Sequence, residues 1–206
     1  MNDTVKYLSL FANPVMSVQL DLDLEKLTEF AFEMWNKDKE GVNKSNIGGW
    51  QSDNVGEEKH EEFIKLKKEI NHYLQIYHSE VFRGMKFKEN VKQDIEGMWV
   101  NINEKDHWNE WHIHPGGTIS GAFYIKHDST GKHGNIIFEN PISLYLRYMH
   151  WPNELVEEWN QTTASKIESM PEPNILLLFP SWLKHRVGSN LRNDTRISLS
   201  FNSILN

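Results

Sequence analysis

His112 and His114 stand one residue apart in the stretch WHIHPGG, beside a Pro-Gly-Gly turn. In an extended chain successive side chains point to opposite faces, so residues i and i+2 share a face and can converge on one object. Neutral imidazole is the commonest protein ligand for iron, zinc and copper, and two of them a strand-step apart make a candidate metal clamp. A third histidine, His185, follows the apolar run and turn of NILLLFPSWLKH. TRISLSFN then carries Arg196 and Ser198 at i and i+2. A guanidinium fork meets a carboxylate bidentately and a serine hydroxyl can donate to the same group, so this pair reads as an anion clamp. If the His185 and Arg196 strands are antiparallel neighbours, the metal ligand and the clamp share one cavity.

Composition limits what else the chain can do. Its 206 residues are 38% hydrophobic, enough for one domain with a substantial core. A formal charge of -7 argues against a nucleic-acid partner, which needs a clustered positive surface. With no cysteine, disulfides, thiolate metal sites and cysteine nucleophiles are excluded, and any metal must sit on His, Asp or Glu. The start, MNDTVKYLSLFANPV, lacks a signal-like apolar stretch, and no segment approaches the roughly 18 apolar residues of a membrane span. A soluble, cytoplasmic protein with no membrane partner is expected.

The elements that must position these residues follow from periodicity. A first strand is expected within LSLFANPVMSVQL. Helical spacing of Leu24, Leu27, Phe30, Ala31 and Met34 predicts an amphipathic helix. GVNKSNIGGWQS reads as an ordered loop, and Phe63, Leu66, Ile70, Tyr73, Leu74 and Tyr77 mark one face of a long second helix. From about Ile95 the chain breaks into short β-rich pieces (IEGMWVNINEK, HWNEWHIH, TISGAFYIKHD, GNIIFEN, NILLLFP, KHRVGS and TRISLSFN) between Gly, Pro and Asn turns. Helices followed by many strands predict a mainly β sandwich or barrel with flanking helices. Residues 141–173 interrupt the strands, with a short helix expected around Asn153 to Trp159; such an insertion is either a lid that sets selectivity or packing over a sheet face. The organisation expected is a single domain over 1–206, with helices at about 23–82 packed on a β core at about 95–204 that the insertion at about 141–173 interrupts.

The order HIHPGG, TISGAFYIK, GNIIFENP, LLLFPSWLKHRV, RISLSFN resembles the 2-oxoglutarate and Fe(II)-dependent oxygenases, in which HxD, a distal His and an Arg followed two positions later by Ser or Thr appear in sequence. SNIGGWQS (Ser45 to Ser52) matches an N-terminal element of a group of such proteins of about this length. The resemblance implies a double-stranded β-helix, or jelly roll, with Fe(II) near one open end. It implies 2-oxoglutarate and O2 as co-substrates, and hydroxylation of an organic small molecule, protein or peptide with release of succinate and CO2. It also places a tyrosine like Tyr124 against the distal carboxylate of 2-oxoglutarate, beside Arg196 and Ser198. The chain departs from the family where His114 replaces the aspartate. Three neutral imidazoles would leave the iron one charge unit more positive and favour the dianionic co-substrate. His112, His114 and His185 are the expected ligands; Glu110, at i−2 from His112, is the alternative carboxylate, and Asp128 and Glu139 are more distant ones. Trp99, Trp108, Trp111 and Trp182 surround the site in sequence, as packing or as contacts to substrate.

Two other readings use the same residues. A cupin-type enzyme could hold a metal on three histidines without 2-oxoglutarate, but the glutamate common after the paired histidines in cupins is absent from PGGTIS and Arg196 would lack a task. A non-catalytic protein retaining the fold is the other, supported by the aspartate-to-histidine replacement alone.

Overall fold

The computed structural model describes residues 11–128, 130, 133–148, 155–170 and 172–206. Eleven strands and three helices occur among them, in the order β1 (Met16–Gln19), α1 (Leu24–Lys37), β2 (Asn46–Ile47), β3 (Trp50–Gln51), α2 (Glu61–Val81), β4 (Gln93–Asn103), β5 (Trp108–His112), β6 (Ile119–Lys126), β7 (Ile136–Glu139), α3 (Ser143–Tyr148), β8 (Lys166–Ser169), β9 (Ile175–Pro180), β10 (His185–Val187) and β11 (Arg196–Leu205). All strand pairs are antiparallel. They form two sheets, a major one ordered β1-β9-β6-β11-β4-β3 and a minor one ordered β2-β5-β10-β7-β8. The two facing sheets make a double-stranded β-helix, or jelly roll.

The major sheet is covered on both faces, and its strands alternate accordingly. On β11, Ile197, Leu199 and Phe201 join Met98, Val100 and Ile102 of β4 in a core shared with Leu27, Phe30, Phe63, Leu66, Ile70 and Leu74 of the two long helices. The intervening Arg196, Ser198, Ser200 and Asn202 face the minor sheet instead. So the apolar members of RISLSFN hold the helices, and the polar members line what lies between the sheets.

Both helices end as their sequences direct. The Asp23 side chain accepts from the Lys26 backbone N–H at 3.2 Å and caps α1, and Glu62 at the start of α2 accepts from the Asp23 N–H at 3.0 Å, tying the two N-termini together. Phe30 and Phe63, both fully buried, stack with ring centroids 4.8 Å apart. Replacing Phe30 by alanine is expected to lower the unfolding free energy by about 3–5 kcal/mol, through lost transfer energy and the cavity left behind. Urea denaturation of the two proteins measures this.

Four expectations need correction. SNIGGWQS is no loop: it contains β2, which pairs with β5 of the minor sheet, and β3, which pairs with β4 of the major sheet. The 141–173 insertion contributes an edge strand, β8, paired with β7, and its helix is α3. Of the helix expected around Asn153 to Trp159, Asn153 and Glu154 lie outside the described residues, and Leu155 to Trp159 carry no α-helix. The His185 and Arg196 strands are not paired: β10 lies between β5 and β7, whereas β11 lies between β4 and β6. The two side chains face one another across the sandwich, so the cavity arises from opposed sheets and not from a hairpin. Of the expected first strand, residues 8–10 lie outside the described ones, and among the rest only Met16–Gln19 forms a strand. Among the described residues no helix is long and apolar enough to cross a membrane.

Candidate metal centre and anion pocket

His112 ends β5 and His185 opens β10, and the two are direct register partners. His114 lies just past β5, where its backbone N–H donates to the Ser181 carbonyl at 3.0 Å. One nitrogen from each of the three histidines falls within 4.8 Å of the others, the only such group of potential ligands among the described residues. The ring centroids are 4.3 Å (His112–His185), 5.0 Å (His112–His114) and 5.2 Å (His114–His185) apart.

The second nitrogen of each ring is already engaged. His112 Nδ1 is 2.7 Å from the Glu110 carbonyl and His185 Nδ1 is 2.8 Å from the Leu183 carbonyl. A carbonyl can only accept, so Nδ1 carries the proton and Nε2 is left as a free lone pair. His114 Nδ1 is 3.3 Å from the Asn202 carboxamide, which also bonds Ser120 at 2.8 Å; Ser120 meets Ser181 at 2.7 Å. The carboxamide oxygen accepts from Ser120, so Nδ2 is the Asn202 atom that faces the ring and orients it. Burial holds all three rings below the usual histidine range, His114 at about 4 and His185 at about 3, with His112 depressing both further. At neutral pH the three are unprotonated, the form that binds metals. Outer partners of this kind typically contribute 10- to 100-fold to metal affinity. Asn202→Leu is therefore expected to weaken binding of a divalent metal by about that factor without unfolding the protein, as isothermal titration would record.

Arg196 is the second component. It is 4% exposed, and no carboxylate among the described residues pairs with it. Nη1 donates to Asn103 Oδ1 at 3.3 Å, Nε has no hydrogen-bond partner, and the guanidinium lies 5.5 Å from the Tyr124 ring centroid. The Tyr124 hydroxyl is buried and unpartnered as well. Burial lowers the Arg196 pKa and raises that of Tyr124, with the arginine charge opposing the latter shift. A buried, unpaired cation is strongly unfavourable unless an anion meets it. Ser198, next to Arg196 on the same face and paired in register with Tyr124, completes a site that an incoming carboxylate would satisfy.

Both components open into one cavity of about 520 Å³ between the sheets, within the usual range for small-molecule sites, about 300–1,000 Å³. Its lining includes all three histidines, Arg196, Ser198 and Tyr124. Of the alternative carboxylates, Glu110 lies at the exposed rim and outside the ligand group, Asp128 pairs with Arg192 at 3.2 Å, and Glu139 pairs with Lys184 at 2.7 Å. Trp99 and Trp111 line the cavity. Trp108 pairs with Ile47, and Trp182 is half-exposed with its indole donating to Asn13. Residues 141–173 contribute nothing to the lining among the described residues. Asn103 and Asn202 were not anticipated. Continuing the alternation of Arg196 and Ser198 along the same strand reaches Ser200 and then Asn202, and that pattern is the signal that finds it.

The fold and site together define a jelly roll with an imidazole-lined cavity suited to a first-row divalent metal and an anion. A family model described as "Putative 2OG-Fe(II) oxygenase" matches residues 97–202, and the chain belongs to that family. Fe(II) and 2-oxoglutarate are accordingly its cofactors. Three converging imidazoles and an uncompensated buried guanidinium fit that pair. Among solved structures, a Pseudomonas putida prolyl-4-hydroxylase is similar at 12% identity, with a TM-score of 0.60 and coverage of 95% of each chain. HygX from Streptomyces hygroscopicus, with nickel and 2-oxoglutarate bound, is similar at 10% identity, with a TM-score of 0.61 and coverage of 93% of this chain and 82% of that one. A prolyl hydroxylase from Trichoplax adhaerens in complex with a hypoxia inducible factor peptide fragment is 14% identical, with a TM-score of 0.59 and coverage of 92% and 83%. At these identities the likeness is one of fold. No match was found among curated proteins.

Proposed function

We propose that the protein couples oxidative decarboxylation of 2-oxoglutarate to hydroxylation of an organic substrate. When bound, Fe(II) and 2-oxoglutarate supply the oxidising chemistry: one atom of O2 enters succinate as CO2 leaves, and the other enters the substrate as a hydroxyl group. His112, His114 and His185 would hold the iron, His112 and His185 through Nε2, and Arg196, Ser198 and Tyr124 would hold the distal carboxylate. The observation that carries the reading is the buried Arg196, without a counter-ion, in the cavity that holds the three histidines. The cupin alternative gives that arginine no partner.

The chain's own residues have three tasks. Arg196 and Ser198 fix one end of the co-substrate by charge-assisted hydrogen bonds, so that its other end is presented to the metal in one orientation. The Nδ1–H bonds of His112 and His185 hold the rings in place and increase their basicity as ligands. The apolar layer of Ala122, Phe179 and Ile136 within the cavity keeps water from the reacting centre. With three neutral imidazoles, the metal keeps its full charge, which favours a dianionic co-substrate. The experiment is anaerobic reconstitution with Fe(II), followed by 2-oxoglutarate and O2, with ascorbate as the two-electron reductant in place of the primary substrate. Succinate and CO2 should form in equal amounts, and only with Fe(II), 2-oxoglutarate and O2 all present; absence of succinate from iron-loaded protein would overturn the proposal.

A further inference from the structure

Each residue of SNIGGWQS but Gln51 has a structural task or lies at the surface. The Ser45 carbonyl accepts from Glu110 N–H at 2.8 Å and its hydroxyl from Asn109 at 3.3 Å, anchoring the segment to β5. Asn46 accepts from the Lys44 N–H and donates to the Gly49 carbonyl, closing the turn. Ile47 is exposed and pairs with Trp108 through its backbone. Gly48 has a φ of +76°, and a Cβ at Gly49 would lie 2.4 Å from Asn103 Nδ2, so neither position takes a side chain. Trp50 is buried in the helix-facing core with its indole donating to the Asp38 carbonyl. The Ser52 hydroxyl accepts from Val100 N–H at 2.9 Å. The segment is a strap joining the edges of the two sheets.

Gln51 is different. Its backbone carbonyl is held by Val42 N–H at 2.8 Å, but its carboxamide makes no hydrogen bond to a described residue although the residue is only 7% exposed and lines the cavity. The carboxamide opens onto the cavity, where it is free to meet a ligand group. Its register partner is Asn101, also 7% exposed, whose Nδ2 donates to Ser200 and whose Oδ1 is unengaged. Asn101 is in turn the partner of Ser198, so Gln51 stands two strand spacings, roughly 10 Å, from the anion clamp. Trp99, two residues before Asn101 on the same face, lies with its ring 5.9 Å from that of His114. Asn101 therefore stands between the anion clamp and the side of the cavity nearer the histidines, and Gln51 lies on the far side of Asn101 from the clamp.

We infer that Gln51, with Asn101, forms the recognition subsite for an uncharged amide of the primary substrate, a peptide bond or a carboxamide. This inference rests on the oxygenase reading above. The two side chains offer donors and acceptors together, which an amide answers with its own N–H and C=O. Apart from Arg196, the charged side chains on the cavity wall other than the histidines are Lys44 and Glu110, both exposed at the rim. A carboxylate or an ammonium would meet only neutral carboxamide dipoles there, because the cavity's Lys44 and Glu110 are exposed at the rim. Gln51 is thus a specificity-determining residue that the strap delivers to the cavity.

The test uses three probes of similar size, N-methylacetamide (a neutral amide), propionate (anionic) and propylammonium (cationic), with the full chain loaded with Zn(II) and 2-oxoglutarate so that turnover is blocked. Binding is read by ligand-observed NMR. The neutral probe should bind at least tenfold more tightly than either charged one. Gln51→Leu should lose that binding tenfold or more while its affinity for 2-oxoglutarate stays within twofold of the native value. Gln51→Glu, of the same shape, should turn the preference to the cationic probe. Equal binding of all three probes, binding of none, or a Gln51→Leu variant that loses 2-oxoglutarate and not the amide would overturn the inference. A native protein that fails to bind 2-oxoglutarate, read by titration before any probe is added, would instead refute the oxygenase reading.

Discussion

Replacement of His185 by alanine is expected to reduce Fe(II)- and 2-oxoglutarate-dependent succinate formation by more than about 100-fold, because losing a ligand should exceed the 10- to 100-fold effect of losing a ligand's outer partner. His185 is the most central of the three histidines, 4% exposed and packed 4.8 Å from the Phe179 ring. The alanine variant therefore also leaves a cavity. His185→Gln fills much of that space without an imidazole, and should keep the fold while losing iron. Bound iron measured by elemental analysis, together with thermal unfolding, separates the two effects. Either variant turning over 2-oxoglutarate at the native rate would remove His185 from the site.

Arg196→Met should act on the co-substrate alone, and with opposite signs on binding and on the ligand-free fold. Truncating one partner of a buried, hydrogen-bonded charge pair costs about 2–5 kcal/mol, which corresponds to a 2-oxoglutarate affinity weaker by roughly 30-fold to several thousand-fold. In the protein without ligand, the arginine is buried with no carboxylate beside it among the described residues. An apolar side chain of similar length removes that uncompensated charge, so the unfolding free energy of the ligand-free variant should equal or exceed that of the native chain. A variant that loses both 2-oxoglutarate and stability would mean that Arg196 serves the fold and not the anion.

How these residues meet was only partly legible in the sequence. The two long helices could be read because fourteen and twenty-one residues give several turns of apolar spacing, and the cores they bury are those the spacing marks. The seven β pieces from Ile95 onward were legible because each sets β-rich residues between Gly, Pro or Asn turns. By contrast, β2 and β3 have two residues each, too few for a period to register, and β8 is the largely polar KIES, without that β-rich signal. The route from His185 to Arg196 was misread for a related reason. A turn between consecutive strands suggests a hairpin, but both neighbours of β10 and both neighbours of β11 were already other strands, so the chain crosses between sheets there. The histidines and arginine still face one cavity because opposed sheets juxtapose side chains as effectively as paired strands do. Gln51 could not be singled out: its chemistry depends on which neighbours leave its carboxamide idle, and that is a property of the packed structure.

The most direct measurement is an anaerobic titration of 2-oxoglutarate into Fe(II)-loaded protein, followed in the visible range. Chelation of the iron by the keto acid should produce a weak absorption band that grows to saturation at one equivalent per chain and is lost in Arg196→Met at the same concentrations. Iron retained by the protein with no band at saturating 2-oxoglutarate would contradict the account.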